Sequence, residues 1–416
     1  MSVYNFFSCG VFLSLLTVLV VPIVFSLGLV GSGSTLVVNE FFVFDSLAYY
    51  VLFLVLFLGV YSIFCLNTFL STPTVLFLSV SLVFSCFCFC ANHAVLFWVY
   101  YELSMLPLLY LVFRDSPYSE RFIAGWYFAV YLLVTSLPLI LILLYLSYIN
   151  GTFFMLSWQN DITSFYVYVV ISFIFFTKVP LMPFHTWLPI VHAEATSIVS
   201  IYLSGYIMKL GLLGVYRCSA FLFNGGFWIY LFFCCVFSVC FIITASTELD
   251  GKRWLAFLSL AHILVAFLGF FVCGSDLMPL VFLFCLGHGL SAGLVFGVLW
   301  LFYDVTNSRN WLLLKAGVSS NSLLFVVILG LLSLCSFPPT LQFFCEVGLV
   351  SQTSFSLFGT MFWCFYLFFG GLIPLILCGH ILVRSEGVEH SIYNVYNYLF
   401  YFFYLITWCY FGILLL

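Results

Sequence analysis

Apolar stretches of roughly twenty residues, separated by short polar punctuation, recur along the whole of the 416-residue chain. Each is long enough to cross a bilayer as a helix, and none shows the short alternation of outer-membrane strands. Thirteen spans fit the pattern, at about 5–30, 44–68, 74–91, 94–113, 124–148, 164–190, 195–217, 227–247, 253–273, 279–302, 320–350, 356–383 and 393–416. The longest connection, 303–317, is too short to fold into a soluble domain. The pattern therefore predicts an all-α polytopic membrane protein.

Two spans are interrupted. Within 164–190, Lys178 is followed at once by Pro180 and Pro183; within 320–350, Pro338-Pro339 is followed by Glu346. Proline removes a backbone donor and clashes with the preceding turn, and lipid offers no replacement partner. A charge near the bilayer centre adds about 2.5–3.5 kcal/mol on insertion scales. Groups this costly survive inside protein or beside water, so a polar path within the membrane is expected. Interrupted helices at matching places also predict an internal repeat. The expected layout is N-terminal spans over 1–93, then two five-helix repeats of inverted topology over 94–247 and 253–416, with discontinuous helices at Lys178–Pro183 and Pro338–Pro339.

Composition agrees: 65% of the residues are hydrophobic and 6% charged, which no soluble domain of this size shows. The net charge of −4 rests on so few groups that position tells more than the sum. Connections after spans four, eight, ten and twelve hold Arg114, Arg121, Lys252, Arg253, Arg309, Lys315 and Arg384, whereas those after odd-numbered spans hold only Arg217. Basic loops collect on the side of synthesis, which places the N-terminus on the basic side and the C-terminus opposite. Lys178 and Lys209 fall within spans rather than loops.

Negative evidence narrows the chemistry. The 16 cysteines lie in apolar stretches without CxxC pairs, Cys86, Cys88 and Cys90 among them, and read as buried thiols. Neither HExxH nor CxxCH occurs, so no metal is assigned. The glycine-rich segment from Gly28 to Gly33 lacks a phosphate-binding lysine and reads as a loop. No nucleotide, flavin or iron–sulfur motif is present, so redox chemistry is not expected on this chain. Met1–Phe6 carry no basic residue, so neither a secretory signal nor a transit peptide is expected.

What remains is a set of ionisable residues inside spans. Glu102 lies nine residues into the fourth span, and a carboxylate stem is too short to snorkel from there. It is expected to pair with Lys178 across two helices, where separation would release a proton; a static structural pair is the alternative. Lys209, flanked by Gly205 and Gly211, suits a central role better than a snorkelling one. Glu346, beyond the second break, either exchanges protons at the far end of the path or caps the freed backbone. His185 and His192 follow the first break, and His262 and His288 lie within spans; histidine exchanges protons near neutral pH. For His192, beside the expected loop, an interfacial side chain satisfied by water is an equal alternative.

Read together, Glu120-Arg121-Phe122-Ile123-Ala124-Gly125, Thr135-Ser136-Leu137-Pro138-Leu139, Lys178-Val179-Pro180-Leu181, His185-Thr186-Trp187-Leu188-Pro189, His192-Ala193-Glu194-Ala195, Met208-Lys209-Leu210-Gly211, Lys252 with His262, His288-Gly289 and Pro338-Pro339-Thr340 with Glu346 resemble the antiporter-like membrane subunits of respiratory NADH:ubiquinone oxidoreductase, complex I. That family is shared with multi-subunit sodium/proton antiporters. The resemblance implies a proton-pumping module of the mitochondrial inner membrane. In it Glu102 and Lys178 would form a modulating ion pair, Lys209 the central carrier and Glu346 the distal one, with His185, His192, His262 and His288 along a hydrated axis. It implies neighbouring membrane-arm subunits, accessory subunits and lipids as partners, no nucleic acid, and FMN, iron–sulfur clusters and ubiquinone on other subunits. Three features depart from the family. Ile190 stands where a charge commonly follows Trp-Leu-Pro, Thr196 replaces a common proline, and the N-terminus is one helix short of the usual fourteen. Two other classes remain open: a stand-alone cation/proton antiporter, and a structural subunit whose charges only hold helices together.

Overall fold

A computed structural model describes residues 36–159, 164–219, 227–274, 277–313, 318, 321–353, 356–383 and 395–412. The expected span at 5–30, the loop from Gly28 to Gly33, Lys315 and Arg384 lie outside the described residues. The chain is a helical bundle preceded by a short antiparallel hairpin, β1 (Leu36–Asn39) and β2 (Phe42–Phe44). That hairpin was not expected from the sequence, where the hydrophobic run from residue 42 merges into the following helix.

The helices are α1 (Ser46–Leu66), α2 (Thr72–Cys90), α3 (Ala94–Asp115), α4 (Arg121–Asn150), α5 (Phe165–Lys178), α6 (Trp187–Glu194), α7 (Ser197–Ser219), α8 (Trp228–Thr247), α9 (Gly251–Val272), α10 (Met278–Thr306), α11 (Asn321–Leu334), α12 (Leu341–Thr353), α13 (Leu357–Val383) and α14 (Val395–Phe411). Among the described residues, nine of these are long and apolar enough to cross a membrane singly. The pairs α5–α6 and α11–α12 are the two interrupted spans. Local signals set several ends. Asp45 accepts from the Ala48 amide at 2.8 Å and opens α1, Asp250 accepts from the Lys252 amide at 2.9 Å and opens α9, and Gly151 at φ 67° closes α4.

The interior belongs to α7 and α10, each an 18-residue window of which is wholly buried, whereas α4 leaves most of its surface on the outside of the bundle. Helices that are hydrophobic all round are the ones a bundle can enclose, and glycines set how closely they pack. A Cβ on Gly211 of α7 would lie 2.6 Å from the Val179 side chain, and one on Gly287 of α10 would lie 3.2 Å from the Gln342 backbone amide. The two central helices thus press directly against the two breaks.

Freed backbone groups must find partners inside the protein, as a lipid setting demands. At the first break, the Trp187 indole donates to the Thr177 carbonyl at 2.9 Å and the Tyr230 hydroxyl to that of Met182 at 2.6 Å. The first interrupted span runs through Glu194, four residues beyond its expected end at 190. Lys178 closes the half-helix before its break while Glu346 sits in the half-helix after its own, so the two charges are not placed as mirror images.

Candidate functional site

The ionisable side chains form separate polar clusters buried in the bundle. At the first, Lys178 Nζ lies 3.9 Å from Glu102 Oε1, too far for a hydrogen bond, and its side chain has no exposure. It donates instead to the Leu132 carbonyl at 2.8 Å and rests 4.5 Å from the centre of the Tyr101 ring. Leu132 belongs to a π-helical turn of α4, Ala129–Val134, whose widened ladder leaves carbonyls free for side-chain donors. Its neighbour Tyr131 accepts from Thr177 at 3.2 Å and Thr135 at 2.6 Å. Glu102 Oε1 has no hydrogen-bond partner, so no hydrogen bond joins the two charges.

Lys209 repeats the device. Its Nζ donates to the carbonyl of Ser204, which lies in a second π turn, Leu203–Ile207 of α7. Its ammonium is within Coulombic reach of His192, His262, His288 and Cys285. Toward the second break, His288 of α10 and His262 of α9 have ring centres 4.9 Å apart. His262 Nδ1 meets the Tyr366 hydroxyl of α13 and lies 3.3 Å from Gln342 Nε2. Glu346 Oε1 then accepts from Ser336 at 2.8 Å, from Gln342 at 3.1 Å and from Tyr366 at 3.5 Å. The Ser291 hydroxyl donates to the other end of the Gln342 amide at 3.1 Å, which orients it.

The expected residues are thus unequally placed. Glu102 meets Lys178, and His262 joins Glu346 through Tyr366 and Gln342. His288 stands beside them with both ring nitrogens unpartnered. His185 stays apart, partly exposed in the first break with its ring 4.6 Å from that of Phe241. His192 is fully buried near the end of α6, stacked on Phe296 with ring centres 5.0 Å apart. The helix ends two residues after it, at Glu194.

Sequence reasoning missed several participants. Lys252 was counted with the loops, yet Asp250 caps α9 and draws Lys252 into its first turn, where it is buried and donates to the Ala195 carbonyl at 2.8 Å. The Asp-Gly-Lys order was the available signal, since Asp at an N-cap makes the next residues helical. Gln342 and Tyr366 carry no charge and gave none. Glu194, buried, pairs with Arg309 at 3.2 Å, and Arg309 with Asp250 at 3.4 Å. Burial alone works against the Arg309 charge, but Asp250 and Glu194 outweigh it and raise the guanidinium pKa above its ordinary value. At the opposite end Arg217 lies 3.4 Å from Asp45. No group of three metal-ligating side chains converges among the described residues.

The family description "NADH:quinone oxidoreductase/Mrp antiporter, TM" matches residues 91–373, a segment that includes every residue of these clusters from Glu102 to Tyr366. A curated relative, NADH-ubiquinone oxidoreductase chain 4 of Ascaris suum, is 28% identical over 324 residues, 73% of this chain and 74% of the relative. Among solved structures, a chain of respiratory complex I from Thermus thermophilus with bound NADH superposes with a TM-score of 0.80 at 18% identity, covering 96% of this chain and 90% of that one. A chain of the Mrp complex from a Dietzia species superposes at 0.71 with 15% identity, covering 91% and 73%. At these identities the superpositions speak for a shared fold. The match over most of its length makes this chain a member of the NADH:quinone oxidoreductase/Mrp antiporter family of membrane subunits.

Proposed function

We propose that the chain is a proton-translocating membrane subunit of a respiratory NADH:ubiquinone oxidoreductase, working in the mitochondrial inner membrane with its N-terminus on the matrix side and its C-terminus toward the intermembrane space. The observation that carries this reading is the Glu102–Lys178 pair: opposite charges 3.9 Å apart, buried, with no hydrogen bond between them. Charges not hydrogen-bonded to each other separate without breaking a bond between them, and Lys178 keeps its carbonyl acceptor when the carboxylate moves. Loss of the neighbouring negative charge loosens the lysine's hold on its proton. Lys209 and then Glu346 act as central and distal carriers, with His185, His192, His262 and His288 along the axis.

The energy scale is adequate. Moving one charge against a potential costs about 2.3 kcal/mol per 100 mV, and changing proton affinity by two pH units supplies about 2.7 kcal/mol. FMN, iron–sulfur clusters and the ubiquinone site belong to other subunits in this reading. Neighbouring antiporter-like subunits, accessory subunits and lipids are its partners. The residues group as 1–93, then five-helix repeats over 94–247 and 253–416. The chain-4 names of the relatives favour this reading over a stand-alone cation/proton antiporter, which the family description names alongside it and the Mrp superposition supports at a lower TM-score.

Lys178→Met and Glu102→Gln are expected to leave the complex assembled on a native gel and to impair NADH-driven proton uptake in vesicles. Full pumping with either variant sinks the reading. Cation flux without NADH, in membranes where the chain migrates apart from NADH dehydrogenase activity, decides for the antiporter.

A further inference from the structure

Two tyrosines of α7, both wholly buried, tie the region that holds Lys209 to other helices. Tyr202, just ahead of the π turn Leu203–Ile207, donates to the Gly59 carbonyl at 3.0 Å, and Gly59 lies in a further π turn, Val55–Val60 of α1. The two π turns pack on each other, since a Cβ on Gly205 would lie 2.8 Å from the Leu58 side chain. Tyr206, inside the α7 turn, reaches a different helix. Its hydroxyl lies 3.0 Å from Ser81 Oγ of α2, and Ser81 Oγ lies 2.6 Å from the Ser104 carbonyl of α3. A serine hydroxyl has one proton to give, so Ser81 donates to Ser104 and accepts from Tyr206. Ser81 and Ser104 are also wholly buried, so no water competes for these bonds.

The far end of this link is not a neutral part of α3. Ser104 stands two residues beyond Glu102, and its own hydroxyl donates at 2.7 Å to the carbonyl of Tyr101, the residue whose ring faces the Lys178 ammonium. Pro107 follows within α3 and removes the donor that would reach the Leu103 carbonyl. The helix therefore lacks a ladder bond beside Ser104, where helices yield most readily.

We propose that Tyr206 is a positioning residue for Lys209, and that the link Tyr206–Ser81–Ser104 couples the α7 turn to the helix that carries Glu102. The proposal rests on the reading of Lys209 as a proton carrier and adds to it the side chains that aim the carrier's acceptor. A single π turn inside an α-helix is a local departure from the regular ladder, so contacts from its neighbours decide its shape. Tyr206 shares that turn with Ser204, whose carbonyl accepts from Lys209, so a shift of α3 felt at the Tyr206 hydroxyl moves the lysine's acceptor. No hydroxyl of the link gains or loses a proton in this role.

Tyr206→Phe removes the hydroxyl and keeps the ring, and the complex is expected to assemble. Coupled NADH turnover per assembled complex is expected to fall by roughly 2- to 10-fold, the rate equivalent of one neutral hydrogen bond, with KM for NADH unchanged. Ser81→Ala cuts the same link from α2, so the double variant is expected to be no slower than the slower single one. Tyr202→Phe removes an equivalent hydroxyl that binds α1 instead, and is expected to lower the melting temperature without slowing turnover. Normal turnover in Tyr206→Phe, multiplying losses in the double variant, or an equal slowing by Tyr202→Phe each overturns the proposal. Should Tyr206→Phe fail to assemble, Ser81→Ala decides: slowed turnover supports the link and unchanged turnover removes it. Lys209→Met is measured alongside. If it pumps normally, the translocator reading itself falls; if it is impaired while Tyr206→Phe is not, only the positioning role does.

Discussion

Three buried lysines share one arrangement: each ammonium donates to a main-chain carbonyl at a helical irregularity, Leu132 and Ser204 in π turns and Ala195 at the end of α6. A carbonyl acceptor suits a group that changes charge, because both forms of an amine donate to it, whereas a close carboxylate favours the ammonium strongly. Glu346 is built oppositely, with donors from Ser336, Gln342 and Tyr366 converging on one oxygen. Tyr366 also reaches His262, so its hydroxyl bridges base and acid. Tyr366→Phe is expected to leave assembly intact and to lower the thermal stability of the solubilised complex by about 1 kcal/mol, the usual net value of one hydrogen bond. It is expected to slow proton uptake far more than that, because the bridge is lost while Gln342 still holds Glu346 in place. Equal, small effects on both readouts would mean that the hydroxyl only packs.

At the scale of elements, charge and proline were legible and neutral polarity was not. Lys178, Glu102 and the two proline breaks announced themselves because each is expensive in lipid, and expense narrows where a residue can sit. The π turns gave no such sign: Ala129–Val134 and Leu203–Ile207 are ordinary apolar sequence, and only tertiary contacts choose the wider ladder. Gln342 and Tyr366 read as incidental side chains until α9, α12 and α13 are brought together. The glycine pattern was legible in kind but not in target, since Gly287 gives no hint that it faces the main chain of Gln342. A Cβ there meets backbone at 3.2 and 3.3 Å, which yields less readily than a side chain. Gly287→Val is therefore expected to push α10 off the second break at a cost of about 1–3 kcal/mol. The measurement is the melting temperature of the solubilised complex, compared with that of Gly371→Val, whose added Cβ meets nothing within 4 Å. Equal losses from both would show that the close approach does not matter.

Across the whole molecule, the basic end ties the two expected repeats together. Arg309, between α10 and α11, donates to the Ala193 carbonyl at 2.7 Å and pairs with Glu194, both at the end of α6, as well as with Asp250 at the start of α9. The Gly251 amide donates to the Arg309 carbonyl at 2.9 Å, and Arg309 and Lys252 both lie over the Tyr118 ring. One guanidinium therefore fixes the first interrupted span, the connection into α9 and the exit from α10 in a single frame. Positive-inside counting found Arg309 but treated it as topology alone. Removing it should strand Glu194, buried at 4% exposure, as an uncompensated charge. Arg309→Met is thus expected to destabilise the complex more than Arg309→Met combined with Glu194→Gln. A thermal double-mutant cycle should return a coupling of about 0.5–3 kcal/mol, the range for contacting residues. Simple additivity would mean that Glu194 finds solvent or another cation when Arg309 is lost, and that the frame is held by Asp250 and the backbone bonds instead.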